Sequence, residues 1–287
     1  MKDKNGNKYF DYIIKLIERI ISISESKSSY TEIKYSLRLI NTLFDCYKGK
    51  IDQFLEQIIK YILLKYKIEK IDKKLENYLQ NLLSACFIYD PLKSLEIFQK
   101  NNCTKGIFIF WFKDLDKLER MSDMKYNLIG ICSLISIDQN KQDKLIIENM
   151  KQILEKIYII TEKINKKIKD NEKDYNDENN LNEDIGEYDE TEGGGIENID
   201  EKVKNIIDGG EFDYDEDLSY EEEDDDDKPL TNFDKQSPIL FVINTLNAVS
   251  QKSPDIYKII METLGDKINI LNTIFNDEEQ RTANKNK

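Results

Sequence analysis

The sequence predicts an all-α protein, stacked antiparallel helix pairs forming an α-solenoid, interrupted by a long disordered acidic insert. Three observations predict it. Apolar residues recur at helical spacing along most of the chain. Between Phe10 and Ile168 there are only three glycines and one proline, few enough for long helices. One stretch breaks both patterns: residues 170–228 hold 27 acidic residues against 4 basic ones, and six of the eleven glycines.

The helices follow in order. Ile13, Leu16, Ile17, Ile20 and Ile21 form a first apolar stripe, and Ile33, Leu37, Ile40, Phe44 and Tyr47 a second. Ile51, Leu55, Ile58, Ile62 and Tyr66 come next, then Ile71, Leu75, Tyr78, Leu82 and Cys86. Asp90-Pro91 starts a short helix carrying Leu92, Leu95 and Phe98. Asp supplies the capping oxygen, and Pro fits a first turn where its missing N–H costs nothing. Ile107, Trp111, Leu115 and Leu118 follow, then Met124, Leu128, Ile131, Cys132 and Ile135. A long helix carries Met150, Ile153, Ile157, Ile160, Ile164 and Ile168. Beyond the insert, Ser237-Pro238 and Ser253-Pro254 repeat the cap-plus-proline start, Gly265 supplies a C-cap, and a last helix carries Ile268, Leu271 and Phe275.

No strand alternation competes, and helix pairs recur about every 35–45 residues, the range of HEAT and armadillo repeats. No single pair buries its own stripe, so stacking is required. The expected organisation is HEAT-like repeats over 1–169, an acidic disordered loop over 170–230, C-terminal helices completing the solenoid over 231–276, and a flexible tail over 277–287.

The formal net charge of −14 divides into two opposite parts. The insert carries a net −23 and the rest of the chain +9. The acidic run is densest at Glu221, Glu222, Glu223, Asp224, Asp225, Asp226 and Asp227. With so few apolar residues the insert cannot offset its ordering entropy, hence the expectation of disorder. A tethered polyanion beside a helical surface attracts cationic partners and speeds their capture, which makes these seven residues the candidate electrostatic binding site.

Several chemistries are excluded. The chain has no histidine, so it holds no Ser-His-Asp or Cys-His nucleophile, His base or His metal ligand. Cys46, Cys86, Cys103 and Cys132 form no CxxC pair and read as free thiols packed against helices in a reducing compartment. Gly193-Gly194-Gly195 lacks the Lys-Ser/Thr of a phosphate loop. Asp213, Asp215 and Asp217 imitate a calcium loop, but Leu218 stands where glycine is needed and Asp224 where glutamate is needed. The reading is no enzyme, no cofactor and no metal. No signal peptide or membrane span is expected, since the longest apolar run is Ile107 to Phe112. Basic residues do not interleave with aromatics as in a nucleic-acid surface. Lys163, Lys166, Lys167 and Lys169 read as a solvated helix end favoured by the helix dipole, or as an intramolecular contact for the acidic tract.

Four segments of the body resemble the importin-seven/importin-eight class of karyopherins, the β-type nuclear transport receptors. Cys46-Tyr47-Lys48-Gly49-Lys50-Ile51-Asp52 resembles the family's C-K-G-R-G-I-D, and Ile88-Tyr89-Asp90-Pro91 its Y-Y-N-P. Phe108 to Asp116 is similar to its F-x-x-x-W-x-x-D helix, and Asp123 to Ile135 to its D-R-K-x-x-x-L-G-L-C-A-L-I helix. After the acidic tract, Lys252-Ser253-Pro254 and Tyr257 resemble N-x-P-x-x-Y. The order is the family's, although Ser122 and Met124 stand where it has His and Arg.

The resemblance implies the C-terminal part of an importin-β-type receptor that carries basic cargo, such as ribosomal proteins or histones, and shuttles between cytoplasm and nucleus through the pore. Ran and nucleoporins are the partners implied for a full-length receptor, whose N-terminal Ran-binding repeats have no counterpart in this chain. Two other readings stay open: a free-standing HEAT-repeat scaffold or acidic histone-chaperone-like protein, and the C-terminal part of a related export receptor.

Overall fold

A computed structural model describes residues 30–67, 73–138, 144–183 and 236–285, together with Tyr12, Lys15, Leu16 and Arg19. Among the described residues the regular structure is entirely helical: α1 Tyr30–Cys46, α2 Leu55–Lys67, α3 Lys73–Tyr89, α4 Pro91–Lys100, α5 Thr104–Phe112, α6 Met121–Ile135, α7 Lys144–Glu148, α8 Met150–Glu183, α9 Pro238–Lys252, α10 Pro254–Leu264 and α11 Lys267–Lys285. Short 3-10 turns, Asp52–Phe54 and Leu115–Lys117, precede α2 and follow α5.

The packing order is that of an α-solenoid. Helices α1, α3, α6 and α9 pack side by side in chain order, and the helices between them lie against this row: α2 and α4 on α3, α4 and α5 on each other, α10 and α11 on α9. Each apolar stripe is thereby covered by its neighbours, as Leu37 and Ile40 of α1, Leu82 and Cys86 of α3, Leu128 and Ile131 of α6 and Val242 of α9 are essentially inaccessible to solvent.

Residues 1–168 and 229–287 belong to one compact unit, and 169–228 to a second. The acidic tract is therefore an insertion within a single stack. Glu278 and Arg281 of α11 hold the first unit together across that insertion. The Ser237 hydroxyl donates to Glu278 Oε1 at 2.6 Å, and the Arg281 guanidinium reaches Glu278 Oε2 at 3.2 Å and Asn165 Oδ1 of α8 at 3.4 Å. The helix α11 runs on to Lys285, so the segment expected as a flexible tail from 277 is helical to that point. The buried Glu278 explains why: its carboxylate needs donors to offset desolvation, Ser237 supplies one from the start of α9, and Arg281 supplies the other from the next turn of α11.

The helix α8 also outruns its expected end at Ile168. Residues 170–183, read as the start of the disordered loop, continue it with Lys173 and Asp170 one turn apart at 3.9 Å. Lys163, Lys166, Lys167 and Lys169 thus lie inside a helix, and the helix-dipole reading of them does not apply. Lys163 instead donates to the Asp116 and Leu118 carbonyls after α5. The rest of the acidic tract, including Glu221 to Asp227, and most of the first expected stripe lie outside the described residues.

Caps form where expected. Asp90 Oδ1 accepts from the Lys93 N–H at 3.0 Å, Ser237 Oγ from the Leu240 N–H at 3.3 Å and Ser253 Oγ from the Ile256 N–H at 3.4 Å. Gly265 ends α10 at φ 45°, a conformation glycine adopts without strain.

Among the described glycines, Gly130 marks the closest approach, between α3 and α6. A Cβ built on Gly130 would lie 2.7 Å from Ser84 Cβ and 2.8 Å from Ser84 Cα. Substituting Gly130→Ala must therefore push the two helices apart. The expected cost is about 1–3 kcal/mol, seen as a lower thermal midpoint.

The thiols make a second check. Cys86 and Cys132 are fully buried, and burial pushes both far up. All four thiols are free, but Cys46 is exposed at the end of α1 rather than packed against a neighbouring helix, and Cys103 is half-buried. Timed alkylation of the native chain should modify Cys46 first, then Cys103, with Cys86 and Cys132 reacting only on unfolding.

Candidate binding site

Two groups of contacts join the helices around the site. The first joins α3, α5 and α6. The Trp111 indole N–H donates to Asn127 Oδ1 at 2.8 Å and Ser84 Oγ at 3.0 Å. Asn127 Nδ2 donates to Asn81 Oδ1 at 2.8 Å, and Asn81 Nδ2 to Asp123 Oδ1 at 2.5 Å. Gln80 Nε2 donates to the last carbonyls of α5, Phe110 at 3.2 Å and Trp111 at 3.4 Å. Phe87 stacks on the indole at 5.0 Å between centroids, with the planes only 8° apart. Trp111 is accordingly core, fully buried and fully occupied.

The second contact joins the loop after α1 to the end of α3. Gly49 turns the chain at φ 74°, which lets Lys48 reach back, its ammonium donating to the Ile88 carbonyl at 3.0 Å. That carbonyl is one of those a helix C-terminus leaves unpaired. The Tyr89 hydroxyl donates to Asp52 Oδ1 and accepts from the Ile51 N–H at 3.1 Å. Burial and the Asp52 carboxylate push the Tyr89 phenol up to about 12.

Beside the second contact lies a cleft of about 310 Å³, bordered by α1, α3 and α6. Asn41, Phe44 and Asp45 line it from α1, Lys48 from the loop after α1, Ala85, Ile88 and Tyr89 from α3, Tyr126 from α6, and Gln236 from the start of the C-terminal segment. Asn41 and Asp45 are one helical turn apart on the face that also carries Leu37. Asn41 is 8 % exposed. Asn41 Oδ1 and Asp45 Oδ2 are both buried with no hydrogen-bond partner. Phe44 and Tyr89 form an aromatic wall, centroids 4.9 Å apart and planes tilted by 43°.

The sequence marks none of these residues as a binding residue, although Lys48, Ile88 and Tyr89 fall within the motif segments. The acidic run Glu221 to Asp227 lies outside the described residues, and nothing described brings it to the cleft. A signal for the cleft does exist: Asn41 and Asp45 continue a face begun by buried Leu37, where a stripe of leucines and isoleucines would be expected. Among the described residues there is no group of three or more Cys, Asp or Glu side chains placed to hold a metal ion, and no helix long and apolar enough to cross a membrane.

The fold defines the class first: an all-α, solenoid-type stack of helices. The comparison with curated proteins adds a loose importin-like relationship. The chain is 23 % identical over 138 residues to a probable importin-7 homologue of Dictyostelium discoideum, a match covering 45 % of this chain and 13 % of that protein. The chain thus spans only a small part of the relative's length. No family model matches, and no solved structure matches.

The Tyr89 contact predicts an alkaline signature. A phenol whose folded pKa is raised contributes stability that is complete below its unfolded value of about 10. That contribution is lost as the pH rises toward about 12. In an ultraviolet tyrosinate titration, Tyr61 and Tyr89 should ionise late, near about 12. The Tyr89→Phe variant should lose part of the late amplitude and show a shallower fall in stability above about pH 10.

Proposed function

We propose that this chain is the C-terminal part of a karyopherin-like transport receptor, working as a binding module for basic proteins and not as an enzyme. The observation that carries the reading is the division of charge. A tract of net −23 is inserted into one compact helical stack whose own chain carries +9. Such a tether captures cationic proteins from solution and presents them to the stack. The similarity to an importin-7 homologue supports the same class. Within it, the cargo is a basic protein of the ribosomal or histone kind, and the protein shuttles between cytoplasm and nucleus. Ran and nucleoporins are partners of the longer receptor. Glu221 to Asp227 supply the densest charge for the first encounter.

The four motif segments support the fold of this module and not its choice of cargo. Tyr89, Asp52, Trp111, Asp123 and Gly130 are all engaged within the stack.

The test replaces residues 184–228, which follow the last described turn of α8, by a neutral Gly/Ser linker. Binding of a core histone dimer is then followed by fluorescence anisotropy across a salt series. Removing the tract should weaken binding at low salt by about tenfold or more and flatten the salt dependence. Unchanged affinity and slope would sink the tract as a capture device.

A further inference from the structure

The helix α10 carries more apolar surface than the stack covers. Ile256, Ile260 and Leu264 form its buried stripe. At about 100° per residue, Tyr257 and Met261 point within about 60° of Leu264 and so widen that stripe to one side. They are nevertheless 49 % and 43 % exposed. Pro254 is exposed on the same flank, one turn before Tyr257. Lys258 and Glu262 border the flank, paired with each other at 3.8 Å and both exposed. Tyr257 belongs to a motif segment, yet unlike Trp111 and Tyr89 its ring is half open to solvent.

We propose that this flank of α10 is a self-association surface, covered by the same flank of a second copy of the chain in an antiparallel twofold contact. The pattern along the helix is complementary to itself. A twofold axis centred between Tyr257 and Met261 sets each tyrosine against the methionine of the other copy, a favourable pairing of sulfur with an aromatic ring. The same alignment brings Lys258 of each copy beside Glu262 of the other. A parallel alignment would instead oppose lysine to lysine and glutamate to glutamate. The charges therefore select the orientation, although exposed pairs of this kind add little strength. Antiparallel helices also oppose their dipoles favourably. The helix has 11 residues and is about 16 Å long. A contact along it falls short of the roughly 800 Å² per partner of a standard interface, so the dimer is weak and forms with rising concentration. The inference goes beyond the reading of the chain as a capture module and does not rest on it.

The experiment is sedimentation velocity of the intact chain, from low micromolar to near millimolar concentration at one salt concentration. The sedimentation coefficient should rise with concentration toward that of a dimer. Met261→Glu places a carboxylate in the apolar contact and should weaken dimerisation by about tenfold or more. Lys258→Glu and Glu262→Lys should each weaken it alone, because each sets like charges across the axis. An equimolar mixture of those two variants should dimerise more strongly than either variant by itself, since the exchanged charges again face their opposites. All three positions are exposed, and an unchanged circular dichroism spectrum verifies that each variant folds. The chain with 184–228 replaced should still dimerise, which separates this contact from any pairing of one copy's acidic tract with the basic stack of another. Four results would overturn the proposal: a monomer throughout the range, a dimer that survives Met261→Glu, a dimer lost with the tract, or a mixture no stronger than its components.

Discussion

The stack depends on a knot of polar groups where α3, α5 and α6 meet. Asn127 sits at its centre, accepting from the Trp111 indole and donating to Asn81, which in turn donates to the Asp123 carboxylate. These groups are almost completely buried. In such surroundings a polar group is tolerated only when paired, so sliding one helix against another by a turn would strand several of them at once. Apolar packing alone would not fix the register, because one leucine or isoleucine can replace another along a stripe. The close approach of Gly130 to Ser84 works in the same direction, since contact at that distance exists only in one register.

From this fixed centre the rest follows by contact. The helix α1 packs on α3 and α9 on α6, so the helices bordering the cleft are held with them. The Tyr89–Asp52 and Lys48–Ile88 contacts fasten the loop after α1 to the end of α3. The ion pair of Lys156 with Asp116, at 2.6 Å, joins α8 to the turn after α5. An exposed pair of this kind contributes little stability and mainly sets position. The Glu278–Arg281–Asn165 group closes the stack beyond the inserted tract.

The segments that resemble karyopherins have a common physical role. Cys46 to Asp52 and Ile88 to Pro91 read as separate motifs along the chain, yet Tyr89 bonds Asp52 and Lys48 bonds Ile88. Phe108 to Asp116 and Asp123 to Ile135 meet likewise, through Trp111 and Asn127. The motifs are two matched pairs of helix-joining contacts.

By itself the sequence determined the helical class, the positions of the caps and the separation of charge. These are local properties: a 3.6-residue period, a Ser-Pro or Asp-Pro step, a run of carboxylates. It also showed Trp111 as core and the absence of any histidine chemistry. It misplaced the ends of α8 and α11, because charged residues at 170–183 and 277–285 carry no apolar stripe, and for α11 only the Glu278 and Arg281 contacts reveal what holds the helix. The cleft was decided by tertiary structure. Asn41 and Asp45 on α1, Tyr89 on α3 and Tyr126 on α6 are far apart in the chain, and nothing in the period of any one helix says which neighbour will cover it. Only the packing of α1 on α3 and of α3 on α6 decides that these side chains meet, and it leaves the two acceptors on α1 buried without partners.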